Sequence, residues 1–222
     1  MLKPPHFLPL LLSALLCNAS LAQSADTLPK LGRSDSVNTL TAQEQRFIAD
    51  TERQYQGDRN KASADWAERS WKLLRQGKSD AAMQLFNQAW LLHANNGHAL
   101  WGMGQIEANR ARASESLKLF SEANRLIGFD LDFAVDYARA LSLAGVKLSD
   151  KKLMDEAFQR FAQIQARAPQ HTLNLQNWAI AFFHTGQYAA AWEKAKAAQA
   201  TPRGAEVDKK FLAELQGKMP RP

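Results

Sequence analysis

Cysteine is almost missing from this chain, occurring once in 222 residues, at Cys17. That excludes a disulfide framework and any thiolate metal site, both of which need several sulfurs. Long apolar runs are also missing. Phe7 to Cys17 falls well short of the roughly 20 residues that cross a bilayer as a helix, and no later stretch is long and apolar enough, so no transmembrane span is expected. Charge of one sign is scarce as well: 28 Lys and Arg stand against 22 Asp and Glu. Glu107, Arg110, Arg112, Glu115, Lys118, Glu122 and Arg125 alternate in sign, which reads as a solvated helical face with local ion pairs, and no nucleic-acid partner is expected.

The signatures of catalysis are absent too. The chain has no glycine-rich phosphate loop, no G-x-S-x-G elbow and no zinc-binding His/Glu motif, so no catalytic residue, enzymatic activity or cofactor is expected. His93 and His98 flank the Asn95-Asn96 turn at a spacing of five, which misses the i, i+4 geometry of a helical ligand pair. Asp130, Asp132 and Asp136 lack the glycine and terminal glutamate of a calcium loop; a helix N-terminus accounts for them, and no metal is expected.

What is present begins with an export signal. Lys3 supplies a positive start, Phe7 to Cys17 an apolar centre, and Ser20-Leu21-Ala22 small residues where signal peptidase reads. Residues 1–22 are therefore expected to be cleaved between Ala22 and Gln23, leaving a soluble periplasmic chain with no cysteine and a net charge of +5, since the signal takes one Lys from the +6 total. The alternative is an outer-membrane lipoprotein anchored through Cys17, but Leu16 and Ala14 depart from the small residue and leucine of a lipidation box. Residues 23–40 are polar, rich in turn formers and without apolar period, which predicts a flexible leader. A helix over 41–57 follows, with Phe47 and Ile48 on its apolar side and Gly57 as its break.

Beyond Gly57 the chain repeats itself. Ala82 and Ser116, Phe86 and Phe120, Ala89 and Ala123, and Ala157 and Ala191 all stand 34 residues apart. Gly77 and Gly145 are twice that interval apart, which predicts a turn recurring in register. Between Gly145 and Ala157 seven residues have been added, about two helical turns, so the same face can still be presented. The pattern predicts an all-α chain: an α-solenoid of about four antiparallel helix pairs over 63–203 (63–96, 97–130, 131–171 and 172–203), with a capping helix at 204–217.

The runs Trp66, Gly77, Ala82, Phe86, Ala89; Gly104, Ser116, Phe120, Ala123; Gly145, Ala157, Phe161, Pro169; and Gly186, Tyr188, Ala191 resemble tetratricopeptide repeats. Ala94 and Gly128 stand where that family usually closes a unit with proline. The resemblance implies that the first helix of each unit lines a concave surface holding a protein or peptide partner. Its inward positions fall on Trp71 and Arg75; Trp101, Gln105 and Asn109; Val135, Arg139 and Ser142; and Asn177, Ile180, Phe183 and His184. Aromatic anchors with cationic and amide groups suit peptide capture. A self-associating module, in which an end unit pairs with a second copy as a homo-oligomer, is the structural alternative.

Overall fold

A computed structural model describes residues 25–33 and 39–222; the expected signal segment, with Cys17 and the Ala22–Gln23 junction, lies outside the described residues. Regular structure among the described residues is entirely helical: α1 (Ala42–Gln54), α2 (Arg59–Arg75), α3 (Ser79–Leu92), α4 (Gly97–Asn109), α5 (Ala113–Leu126), α6 (Leu131–Leu148), α7 (Lys151–Arg167), α8 (Thr172–His184), α9 (Tyr188–Gln199) and α10 (Lys209–Lys218). Helices α2 to α9 pair into four antiparallel hairpins stacked in chain order, with α1 before them and α10 after them. This is the all-α solenoid the repeat predicted.

Local chemistry separates the two helices of three of the four hairpins, the exception being α7, which Asp150 caps by accepting from the Lys152 and Leu153 amides. Each first helix starts at an acceptor side chain: Asp58 for Lys61 N–H, Asn96 for Ala99 N–H, Asp130 for Phe133 N–H, and His171 through Nδ1 for Asn174 N–H. A cap of this kind contributes about 1 kcal/mol. Helices α3, α5 and α9 have no side-chain cap and instead follow a tight turn. In each hairpin one residue is left-handed: Gly77 (φ 75°), Ala111 (58°), Ser149 (53°) and Gly186 (75°). The next amide then donates back five residues, Lys78 to Leu73, Arg112 to Glu107, Asp150 to Gly145 and Gln187 to Phe182, at 3.0, 2.9, 2.9 and 2.9 Å. The closure satisfies carbonyls that a helix end would leave unpaired.

These turn residues correct the reading of Gly145. The left-handed turn of the third hairpin is at Ser149, whereas Gly145 lies inside α6. Its role is close approach: a Cβ there would stand 3.0 Å from the backbone nitrogen of Met154 in α7. The added residues divide across the hairpin, lengthening α6 to 18 residues against 13 in α4, and α7 to 17 against 14 in α5.

The aromatic repeat forms the core between hairpins. Phe86, Phe120 and Phe161 are all fully buried, and the crossing positions Ala82, Ser116, Ala157 and Ala191 are buried beside them. Burying each phenyl ring contributes about 2–3 kcal/mol. Phe86 lies over Gly102 of the next unit so closely that a Cβ on Gly102 would come within 2.0 Å of the ring. In the fourth unit the aromatic position is Ala195, and Phe211 and Leu215 of α10 join the apolar cluster around it. The capping helix thus completes a core that the last repeat leaves short.

The expected flexible leader needs correction over residues 25–33. They form short 3-10 turns at Ala25–Thr27 and Pro29–Gly32, packed against α3, with Lys30 buried. A polar segment without apolar period still docks when the folded body supplies partners for its backbone.

Candidate protein-binding face

The stack has two unlike sides. Successive first helices touch, α2 on α4, α4 on α6 and α6 on α8, and make the closed inner side. Successive second helices meet only marginally, so they splay on the outer side. The inward positions expected from the sequence all lie on these first helices.

Their placement divides those residues. Trp71, Gln105, Arg139 and Ile180 occupy one register in α2, α4, α6 and α8 and are all half-buried. Arg75, Asn109 and His184 occupy the next turn and are exposed. Phe183 is half-buried, edge-on to Phe211 at 5.9 Å between ring centres. Val135, Ser142 and Asn177, 1%, 6% and 5% exposed, are corrections: they point into the packing between helices, too deep to touch a partner. The Ser142 hydroxyl donates to the Arg139 carbonyl at 2.8 Å, an internal helix contact.

Trp71 and Trp101 are both surface and mortar. Their rings lie 4.7 Å apart; Trp71 meets Phe86 edge-on at 5.5 Å, and Trp101 meets Phe133 at 5.6 Å. Such aromatic pairs add about 0.5–1.5 kcal/mol beyond area burial. The Trp101 indole N–H also donates to Asp136 Oδ2 at 3.0 Å, tying the second unit to the third.

Asp136 is the inner-face residue that sequence reasoning placed elsewhere, in a helix N-terminus. Burial pushes its carboxyl up to about 6, against a partial downward pull from the Trp101 hydrogen bond and the Arg139 charge. Its neighbours on the same helix side, Asp132 and Arg139, are charged, so the sequence pattern gave no sign of its burial. Arg139 makes no ion pair among the described residues and acts on Asp136 through its field. The amide oxygen of Gln105 is buried and has no hydrogen-bond partner among the described residues.

At the turn end of this side, a 250 Å³ cavity is floored by Ala108, Ala140 and Leu143, with Val146, Lys147 and His184 also lining it. Val146 and Lys147 belong to the turn by which α6 exceeds its counterparts. The added residues therefore build one wall of the cavity.

No protein-family model and no curated protein sequence matches the chain. Among solved structures it is similar to MamA, described as an RS-1 ArsTM double mutant, with 18% identity, a TM-score of 0.50, and coverage of 73% of this chain and 93% of that one. It is also similar to YrrB, described as a TPR protein with an unusual peptide-binding site, with 14% identity, a TM-score of 0.35, and coverage of 77% and 97%. Four stacked hairpins, at a 34-residue interval that seven added residues lengthen in the third, with Phe86, Phe120 and Phe161 in equivalent places, decide the architecture.

This is a tetratricopeptide-repeat fold.

In the tetratricopeptide solenoid the alternating charges also need a revised reading. Glu107 is fully buried, paired with Arg110 at 2.7 Å and Arg112 at 3.2 Å. Arg110 reaches on to Asp80 of α3 at 2.5 Å. Part of the run expected to be a solvated face is an interior clamp between hairpins.

Proposed function

We propose that this chain is a periplasmic binding scaffold without catalytic activity, which holds an extended peptide or a helix of an envelope or secreted protein against its inner face. The observation that carries the reading is the row formed by Trp71, Gln105, Arg139 and Ile180: half-buried apolar and aromatic groups beside an arginine that makes no ion pair among the described residues. Aromatic area supplies affinity, while a guanidinium gives directional selection for a carboxylate or backbone carbonyl. The 250 Å³ cavity beside Leu143 suits one apolar side chain of the partner, and Lys147 favours an acidic neighbour.

The test uses the two arginines of this face. The R75E/R139Q variant should lose the partner that co-purifies with the wild type, crosslinked in the native envelope, while its thermal transition moves by no more than about 2 °C, because Arg75 is exposed and glutamine at 139 places no second negative charge beside Asp136. Undiminished partner recovery would reject the inner face. Mass spectrometry of the mature N-terminus decides the anchoring: Gln23 first supports a soluble chain, and an acylated Cys17 supports a lipoprotein.

A further inference from the structure

The outer side carries a second binding arrangement, independent of the inner face. Where α3 and α5 splay, the groove between them is lined by polar groups that a gap would leave unsatisfied. Asn87 of α3 is 1% exposed, and Glu122 of α5 is half-buried. Residues Ala25–Arg33 lie in this groove, and the grip is on their backbone. Asn87 Nδ2 donates to the carbonyls of Asp26 at 2.9 Å and Leu28 at 2.8 Å, and Asn87 Oδ1 accepts the Leu31 amide at 3.3 Å. Arg110 donates to the Thr27 carbonyl at 2.9 Å. Two side chains of the segment are held by charge: Lys30, 7% exposed, donates to both carboxylate oxygens of Glu122 in the groove at 2.9 and 2.6 Å, and Arg33 donates to both carboxylate oxygens of Glu44 in α1 at 2.7 and 2.8 Å. Leu31 packs on the main core beside it.

Two further features show that the segment is a guest of the groove. Lys30 and Leu31 are left-handed, with φ of 51° and 57°, a conformation that costs about 1–2 kcal/mol for each residue bearing a Cβ. The shape is therefore imposed by the contacts and is lost when they are. The groove is also larger than its occupant. A 510 Å³ cavity runs beside Pro29 and Lys30, walled on the far side by Glu115, Lys118 and Leu119, so the groove is open to solvent along one flank of the segment.

We propose that the groove between α3 and α5 is a peptide-binding site, occupied in cis by Ala25–Arg33, that takes in trans a segment of another protein in the same turned conformation, presenting a lysine to Glu122, an apolar side chain just after it, and its backbone to Asn87. The chain's own segment is then a built-in competitor, and apparent affinity in trans falls by the fraction of time the groove is closed.

The experiment uses the full chain and a fluorescein-labelled nonapeptide with the sequence of residues 25–33, followed by fluorescence anisotropy. K30E sets the internal lysine position against Glu122, so it should bind the peptide about tenfold more tightly than the wild type, as expected when a competing segment is expelled. Adding N87A to K30E should abolish that gain. Trypsin should cleave after Arg33 faster in K30E than in the wild type. Equal peptide affinity in the two proteins, with faster cleavage in K30E and an unchanged melting curve, would overturn the proposal. Should K30E fold poorly, E122K replaces it: E122K should bind a peptide carrying Glu in place of its Lys, and the wild type should not. No binding of that peptide to folded E122K also overturns it. Light scattering closes the remaining route: a wild-type dimer that K30E dissociates would mean that two copies exchange their own segments, and the reading as a site for another protein would fall.

Discussion

On the inner side of the stack α2, α4, α6 and α8 touch in succession, and from α2 to α6 the gaps are closed by aromatic rings. On the outer side α3 and α5 diverge, and the opening holds Asn87, Glu122 and the turned segment Ala25–Arg33. The difference teaches how one repeat serves two purposes. Curvature brings one layer of helices together, where side-chain volume closes the seam, and opens the other layer, where only additional backbone does. Apolar packing is indifferent to direction, whereas Asn87 and Glu122 have hydrogen-bonding needs that specify what lies on them.

The largest expected effect attacks what both sides share. Phe120 is fully buried and stacks on Tyr137 at 5.7 Å, so F120A should cost about 3–5 kcal/mol, read as a shift in the urea midpoint. A loss below about 1 kcal/mol would mean that the hairpins do not share a core there. Next, N87A removes the group that satisfies the outer segment and should cost about 1–3 kcal/mol, with the loss concentrated in amide-exchange protection of residues 25–33. If that protection is unchanged, the two sides are not distinguished by polar recognition.

The inner side is sharpened by pH. The Asp136 carboxyl stands near 6 in the folded chain against its ordinary 3.8, so the folded state binds this proton more tightly than the unfolded state does. Its contribution is fully present below about pH 3.8 and is lost as pH rises through about 6. Between pH 4 and 8 the wild type should therefore lose about 2 kcal/mol relative to D136N, which cannot ionise there. Parallel stability curves for the two proteins would remove Asp136 from the buried seam. The smallest effect concerns the turns. Ala111 is left-handed where Gly77 and Gly186 are the counterparts, so A111G should gain about 0.5–1 kcal/mol in thermal unfolding.

Much of the fold was legible because its causes are local or periodic. Phe86, Phe120 and Phe161 announce the core by their spacing, and Asp58, Asn96 and Asp130 announce helix starts by their chemistry. The candidate face was legible only in part. Arg75, Asn109 and His184 reach solvent, but Val135, Ser142 and Asn177 are taken up by packing, because an inward register does not tell how closely the next helix approaches. Gly145 was misread for a related reason: glycine serves a left-handed turn and a close helix crossing equally well, and the interval alone does not distinguish them.

By itself the sequence determined that this chain is a stack of helical hairpins, since a constant interval of large and small apolar residues leaves few other ways to bury them. Only the tertiary structure decided where Ala25–Arg33 goes and which charges are interior. Lys30 and Glu122 are 92 positions apart, and Glu107 sits in a run whose alternation looks solvated. Their burial depends on how far two splayed helices stand from each other, a distance that no single segment of sequence encodes.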